Sequence, residues 1–128
     1  MTAAAFLPFC FSVSGTPYAQ LKRRGDVAAP RRWSEAVVAA TAAVPRVTSP
    51  CELQVVFRLP GNKFPADLPY GSDLDNLLKR LLDALNETVF KDARGHDSAV
   101  VRLVASKIEV ADEREAGVDV TILPVPQS

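Results

Sequence analysis

The chain predicts an α+β domain: a small mixed sheet with two helices, in the order β-α-β-α-β-β. Three observations lead there. Leucines at 74, 77, 78, 81, 82 and 85 recur at the i, i+3, i+4 spacing of a helix with one buried side. Ala99 to Val110 is a long valine-rich run, and Val118-Asp119-Val120-Thr121-Ile122 alternates with the period of a half-buried strand. The 128 residues form one domain, since two separate cores in so short a chain would each be marginal.

Taken in order, Phe6 to Ser14 reads as a first strand that ends at Gly15-Thr16-Pro17, with Pro8 making its start an edge or irregular lead-in. Residues 16–29 carry Gln20, Lys22, Arg23 and Arg24 without periodicity and read as a basic loop. A helix follows, with Pro30 near its first turn, a buried stripe of Trp33, Ala36, Val37, Ala40 and Val44, and Pro45 as its stop. Leu53 to Leu59 is the second strand, closed by Pro60-Gly61. Asn62 to Ser72, with Pro65, Pro69 and Gly71, is a loop leading to the leucine-rich helix, which ends near Asn86. Glu87 to Asp97 reads as a polar connection to the third strand. Asp112 to Gly117 is a charged turn, so the last two strands are expected to form an antiparallel hairpin. Residues 124–128 are a tail.

Charge is balanced overall but unevenly placed. Before Pro50, Lys22, Arg23, Arg24, Arg31, Arg32 and Arg46 stand against Asp26 and Glu35; after it, acids outnumber bases. A basic arm and an acidic site in one chain suit a polyanion held by one part and processed at another, although composition alone favours ordinary surface charge. Cys10 and Cys51 lie far apart without CxxC spacing or neighbouring histidines, so zinc binding through sulfur is not expected. Ala3 to Phe11 is apolar but shorter than the roughly 20 residues a spanning helix needs, and it lacks a positive leader. The chain reads as cytoplasmic, with two reduced thiols and no membrane partner.

The chemistry concentrates at Asp73-Leu74-Asp75, at the start of the leucine-rich helix. An aspartate there has a structural explanation as a helix cap worth about 1 kcal/mol, or as an answer to the helix dipole. Lys79 lies one turn beyond Asp75, and Asp97 precedes a strand that can return beside the helix. Two carboxylates ~5 Å apart repel by about 3 kcal/mol at an effective dielectric of 20, and a third adds to this. A bound cation relieves that repulsion, and oxygen ligands suit Mg²⁺, with Mn²⁺ as the alternative, rather than zinc.

The run from Asp73-Leu74-Asp75-Asn76-Leu77-Leu78-Lys79 through Asp83-Ala84-Leu85 resembles the signature of the RusA-type Holliday junction resolvases. The likeness extends to Val89-Phe90-Lys91-Asp92, Asp97-Ser98-Ala99-Val100-Val101 and Lys107, and more loosely to Val13-Ser14-Gly15-Thr16-Pro17 with Gln20 and Arg23. The resemblance implies a homodimeric nuclease that nicks four-way DNA junctions symmetrically in recombination and repair. It implies Mg²⁺ held by Asp73, Asp75 and Asp97 and assisted by Lys79. Lys22, Arg23 and Arg24 are the implied DNA contacts, with Lys107 either on a phosphate or on a solvated strand face. Asp83 matches a further motif position, or is a surface partner of Lys79. The family has two adjacent aspartates before the third strand, whereas here Ala93-Arg94-Gly95-His96 separates Asp92 from Asp97. Asp97 is the expected third ligand and Asp92 the fallback. His96 is either an outer-shell base or DNA contact, or simply solvated. The alternative to a nuclease is a non-catalytic DNA-binding relative with an incomplete metal site.

Overall fold

Alternation along Cys51–Pro60 (β2) sets the two sides of the molecule. Cys51, Leu53, Val55, Phe57 and Leu59 are buried, while Glu52, Gln54, Val56 and Arg58 point the other way. The computed structural model describes residues 6–18, 27–61 and 73–125. In these, β2 is one of four strands, with β1 at Phe9–Ser14, β3 at Val100–Val110 and β4 at Gly117–Pro124. Two helices, α1 at Ala29–Thr41 and α2 at Leu74–Leu85, complete the order β-α-β-α-β-β expected from sequence.

The sheet runs β1-β4-β2-β3. β4 pairs antiparallel with both β1 and β2, while β2 and β3 pair in parallel through the α2 crossover. The expected hairpin between the last two strands is therefore not formed: β2 lies between them. The reason lies in their side chains. Val118, Val120 and Ile122 are at most 1% exposed, and that burial needs a neighbour on each side. The slot between β1 and β2 supplies it. Residues 111–116 carry the chain across the end of β2, where an Arg58 guanidinium N–H donates to the Glu115 carbonyl. Asp112 starts the short 3-10 turn at Glu113–Glu115 by accepting from the Arg114 amide at 2.8 Å.

Both helices pack on the Leu53–Phe57 side of the sheet, where Trp33, Val37, Leu77, Leu81 and Leu85 join its apolar residues in one core. Each large side chain so buried stabilises the fold by about 2 kcal/mol. In α2, Leu77, Leu78, Leu81 and Leu85 are buried, while Leu74 and Leu82 are half-buried at the margin. In α1 the stripe differs from expectation: Ala40 is exposed, Val44 lies beyond the helix, and Thr41 takes the inward position. Nor is the segment after α2 merely polar. Val89, Phe90 and Ala93 are buried, and the Val89 carbonyl accepts from the Val47 amide at 2.9 Å.

Glu52 pairs with Arg102 at 3.0 Å and Arg58 with Asp119 at 3.2 Å on the helix-free face. No described helix is long and apolar enough to cross a membrane.

Candidate functional site

α2 and β3 position the candidate residues. Because α2 is the crossover between two parallel strands, it runs back against β3, leaving a groove between its exposed side and the edge strand. Asp75, Lys79 and Asp83 recur every fourth residue and so share that side, next to the leucines. The groove is a shallow depression of about 340 Å³, lined by Asp75, Leu78, Lys79, Leu82, Asp83, Asp97 and Leu103.

Asp73 is the residue before the first turn of α2, yet its side chain makes no capping hydrogen bond, although its carbonyl accepts from the Leu77 amide at 3.0 Å. The capping explanation for an aspartate here is thus not realised, while the dipole explanation stands. Its exposed carboxylate stands at the positive end of the helix. Asp75, in the first turn, accepts from the Asn76 amide at 3.0 Å and is also exposed.

Asp97 arrives differently. Gly95 (φ +79°) and His96 (φ +53°) are both left-handed, and the second is an uncommon conformation for a residue with a side chain. They turn the chain into a 3-10 turn at His96–Ala99, directly before β3. There Asp97 Oδ2 accepts from Asn86 Nδ2 at 3.0 Å. Asn86 caps the C-terminus of α2 and follows Asp75 by eleven positions, roughly 16 Å of axial rise. Along the helix, Asp73, Asp75 and Lys79 lie toward the start of α2, and Asp83 and Asn86, which holds Asp97, lie toward its finish. Among the described residues, no group of three or more His, Cys, Asp or Glu side chains is placed to hold a metal ion. The oxygen donors match a hard cation in chemistry, while the described residues of one chain do not gather three of them.

The other expected residues lie around this groove. Lys107 is on β3 opposite Phe57, on the helix-bearing face, half-buried and engaged in an interaction of its own. Asp92 and His96 are exposed on the connection. Arg31 is exposed and sits 3.6 Å from Glu35. Lys22, Arg23 and Arg24 lie outside the described residues, as do the 62–72 loop and residues 126–128.

Two contributors were not foreseen. Leu103 supplies the groove's apolar wall from β3, and Asn86 grips Asp97. Nothing in the spacing marks Asn86 beyond its position after the last leucine. Arg80, one residue past Lys79, anchors α2 to the start of α1 by donating to the Pro30 carbonyl (3.2 Å) and to Ser34 Oγ (2.8 Å).

Fold and groove together define a small α+β domain whose acidic, lysine-bearing furrow follows the helix between two parallel strands. The family model for endodeoxyribonuclease RusA matches residues 22–123. The chain belongs to the RusA family of endodeoxyribonucleases, as its aspartate-leucine motif implied. No curated protein matches it.

Proposed function

We propose that this chain is a Mg²⁺-dependent, structure-selective endodeoxyribonuclease that resolves Holliday junctions by paired symmetric nicks as a homodimer in recombination and repair. The observation that carries the reading is the furrow beside α2, lined by Asp75, Lys79 and Asp97, with Asp73 just before the first turn of the same helix. Asp73, Asp75 and Asp97 would hold the ion, with water and substrate oxygens filling the remaining positions. A bound Mg²⁺ supplies Lewis acidity toward a phosphodiester and makes water acidic enough to attack near neutral pH, giving a 5′-phosphate and a 3′-hydroxyl. Lys79 offsets part of the carboxylate charge and neutralises charge developing on the phosphate oxygens. Lys22, Arg23, Arg24 and Lys107 hold backbone phosphates, giving shape-directed, salt-sensitive affinity.

The dimer is read from β3. This strand ends the described sheet and exposes Val101, Leu103, Val104 and Ile108, each more than two-fifths accessible. Such an edge invites antiparallel pairing with a second copy about a two-fold axis. That operation sets two furrows side by side and head to tail, so the Asp97 end of one faces the Asp75 end of the other. A two-fold protein also matches a two-fold junction.

The second reading, a DNA-binding relative without cleavage, is favoured by Ala93-Arg94-Gly95-His96, which separates Asp92 from Asp97 where the family has two adjacent aspartates. One experiment separates the two: purified protein is offered a synthetic four-way junction and a linear duplex of the same sequence, with Mg²⁺ or with EDTA. Mg²⁺-dependent cutting of the junction in preference to the duplex supports the nuclease. Tight junction binding with no cutting at any Mg²⁺ concentration supports the relative.

A further inference from the structure

We infer that Asn86 is a positioning residue: its carboxamide fixes the Asp97 carboxylate at the far end of the furrow. The inference rests on the assignment of Asp97 as a metal ligand and deepens it. Asp97 sits on a four-residue turn entered through two left-handed residues, Gly95 and His96, so its backbone is aimed by a conformation the chain does not adopt freely. Beyond the turn, the Asn86 Nδ2 bond to Asp97 Oδ2 at 3.0 Å ties that carboxylate to the rigid helix.

The orientation of the amide is informative. Donating Nδ2 to Asp97 leaves Asn86 Oδ1 buried without a hydrogen-bond partner. Rotating the amide would point that oxygen at the carboxylate, two acceptors facing each other. An apolar side chain here would bury no orphaned acceptor, so fold stability alone does not favour asparagine. A carboxylate ligand is commonly held by such an outer hydrogen bond, and losing it typically lowers metal affinity or activity 10–100-fold.

The test compares Asn86→Leu, Asn86→Ser and Asp97→Asn with the unmodified chain in three measurements: thermal melting, Mn²⁺ binding followed by electron paramagnetic resonance, and junction nicking across a Mg²⁺ titration. Asn86→Leu is expected to melt at or above the parent temperature, yet to bind Mn²⁺ about tenfold more weakly. Its half-saturating Mg²⁺ should rise by a similar factor, with nicking restored by excess metal. Asn86→Ser keeps a donor at shorter reach and is expected to stay within about threefold of the parent, which also decides the matter if the leucine variant does not fold. Unchanged metal binding in folded Asn86→Leu, or a serine variant weakened tenfold, overturns the inference. Asp97→Asn isolates the underlying assignment: if it nicks and binds metal as the parent does, Asp97 is no ligand and the inference about Asn86 falls with it. If Asp97→Asn is inactive while Asn86→Leu is normal, only the role of Asn86 is lost.

Discussion

Thr41 Oγ1 and Thr88 Oγ1 lie 2.7 Å apart in the core, joining the last turn of α1 to the segment just after α2. They are the buried polar residues among those described, and each hydroxyl answers the other: Thr41 also lies 2.7 Å from the Val37 carbonyl, to which it donates, leaving Thr88 to donate to Thr41. Removing one partner leaves the other buried and under-bonded, whereas removing both leaves two apolar side chains of similar shape. Thr88→Val is expected to destabilise the protein by about 1–2 kcal/mol. Adding Thr41→Val should cost distinctly less than the sum of the two single changes. Urea denaturation of the four proteins in the cycle measures the coupling.

The two cysteines differ in the same physical way. Cys10 is exposed on edge strand β1, while Cys51 is fully buried and burial pushes its thiol up to about 11. In native protein near pH 8 one thiol per chain should react with a disulfide reagent, and two in denaturant. The linked pH effect has a definite sign. A thiol whose folded pKa exceeds its unfolded value contributes stability that is fully present below about 9 and is lost as pH rises toward 11. The drop in melting temperature over that interval should therefore be smaller in Cys51→Val than in the parent.

What could be read from the sequence follows from how local each signal is. The leucine spacing of α2 and the alternation of β2 and β4 state their own periods, so those elements and their buried sides were legible. Strand neighbours are a longer-range property. Val118 and Val101 look alike as letters, yet one is buried between two strands and the other is 60% exposed on an edge. Only the pairing decides which. The furrow was half legible: Asp75 and Lys79 share a helix face by spacing alone. The position of Asp97 depends on the left-handed Gly95–His96 pair and on Asn86, which no period announces.

Gly117 begins β4 where three strands converge. A Cβ there would be driven into the Val13 carbonyl oxygen and the Arg58 guanidinium. Backbone cannot step aside as a flexible side-chain end can, so Gly117→Ala is expected to cost about 1–3 kcal/mol. A calorimetric melt should show a fall of about 5–10 °C.

A charge placed on β3 tests the dimer surface directly. Val104 and Ile108 lie four register positions apart on the helix-free face, opposite Gln54 and Arg58, and both are exposed. A lysine at either position adds little strain to a single chain but opposes the joining of two edges. Val104→Lys or Ile108→Lys is expected to keep the parent melting temperature at low concentration and to weaken self-association at least about tenfold, since burying one unpaired charge exceeds 1.4 kcal/mol. Sedimentation across a concentration series gives the answer, and unchanged association in both variants would place the dimer contact elsewhere.

Asp75 offers the most direct separation of cutting from binding. Its carboxylate lies in the first turn of α2, lines the furrow and accepts from the neighbouring Asn76 amide. Asparagine keeps the shape and the oxygen that accepts from that amide while removing one negative charge. The fold should therefore hold. DNA affinity should be unchanged or slightly tighter, because the repulsion between furrow and phosphates falls. A ligand lost from the metal's own shell costs more than an outer partner, so nicking is expected to fall by at least about 100-fold. Gel-shift titration and single-turnover nicking on the same junction give the two numbers, and a variant that nicks at the parent rate would remove Asp75 from the chemistry.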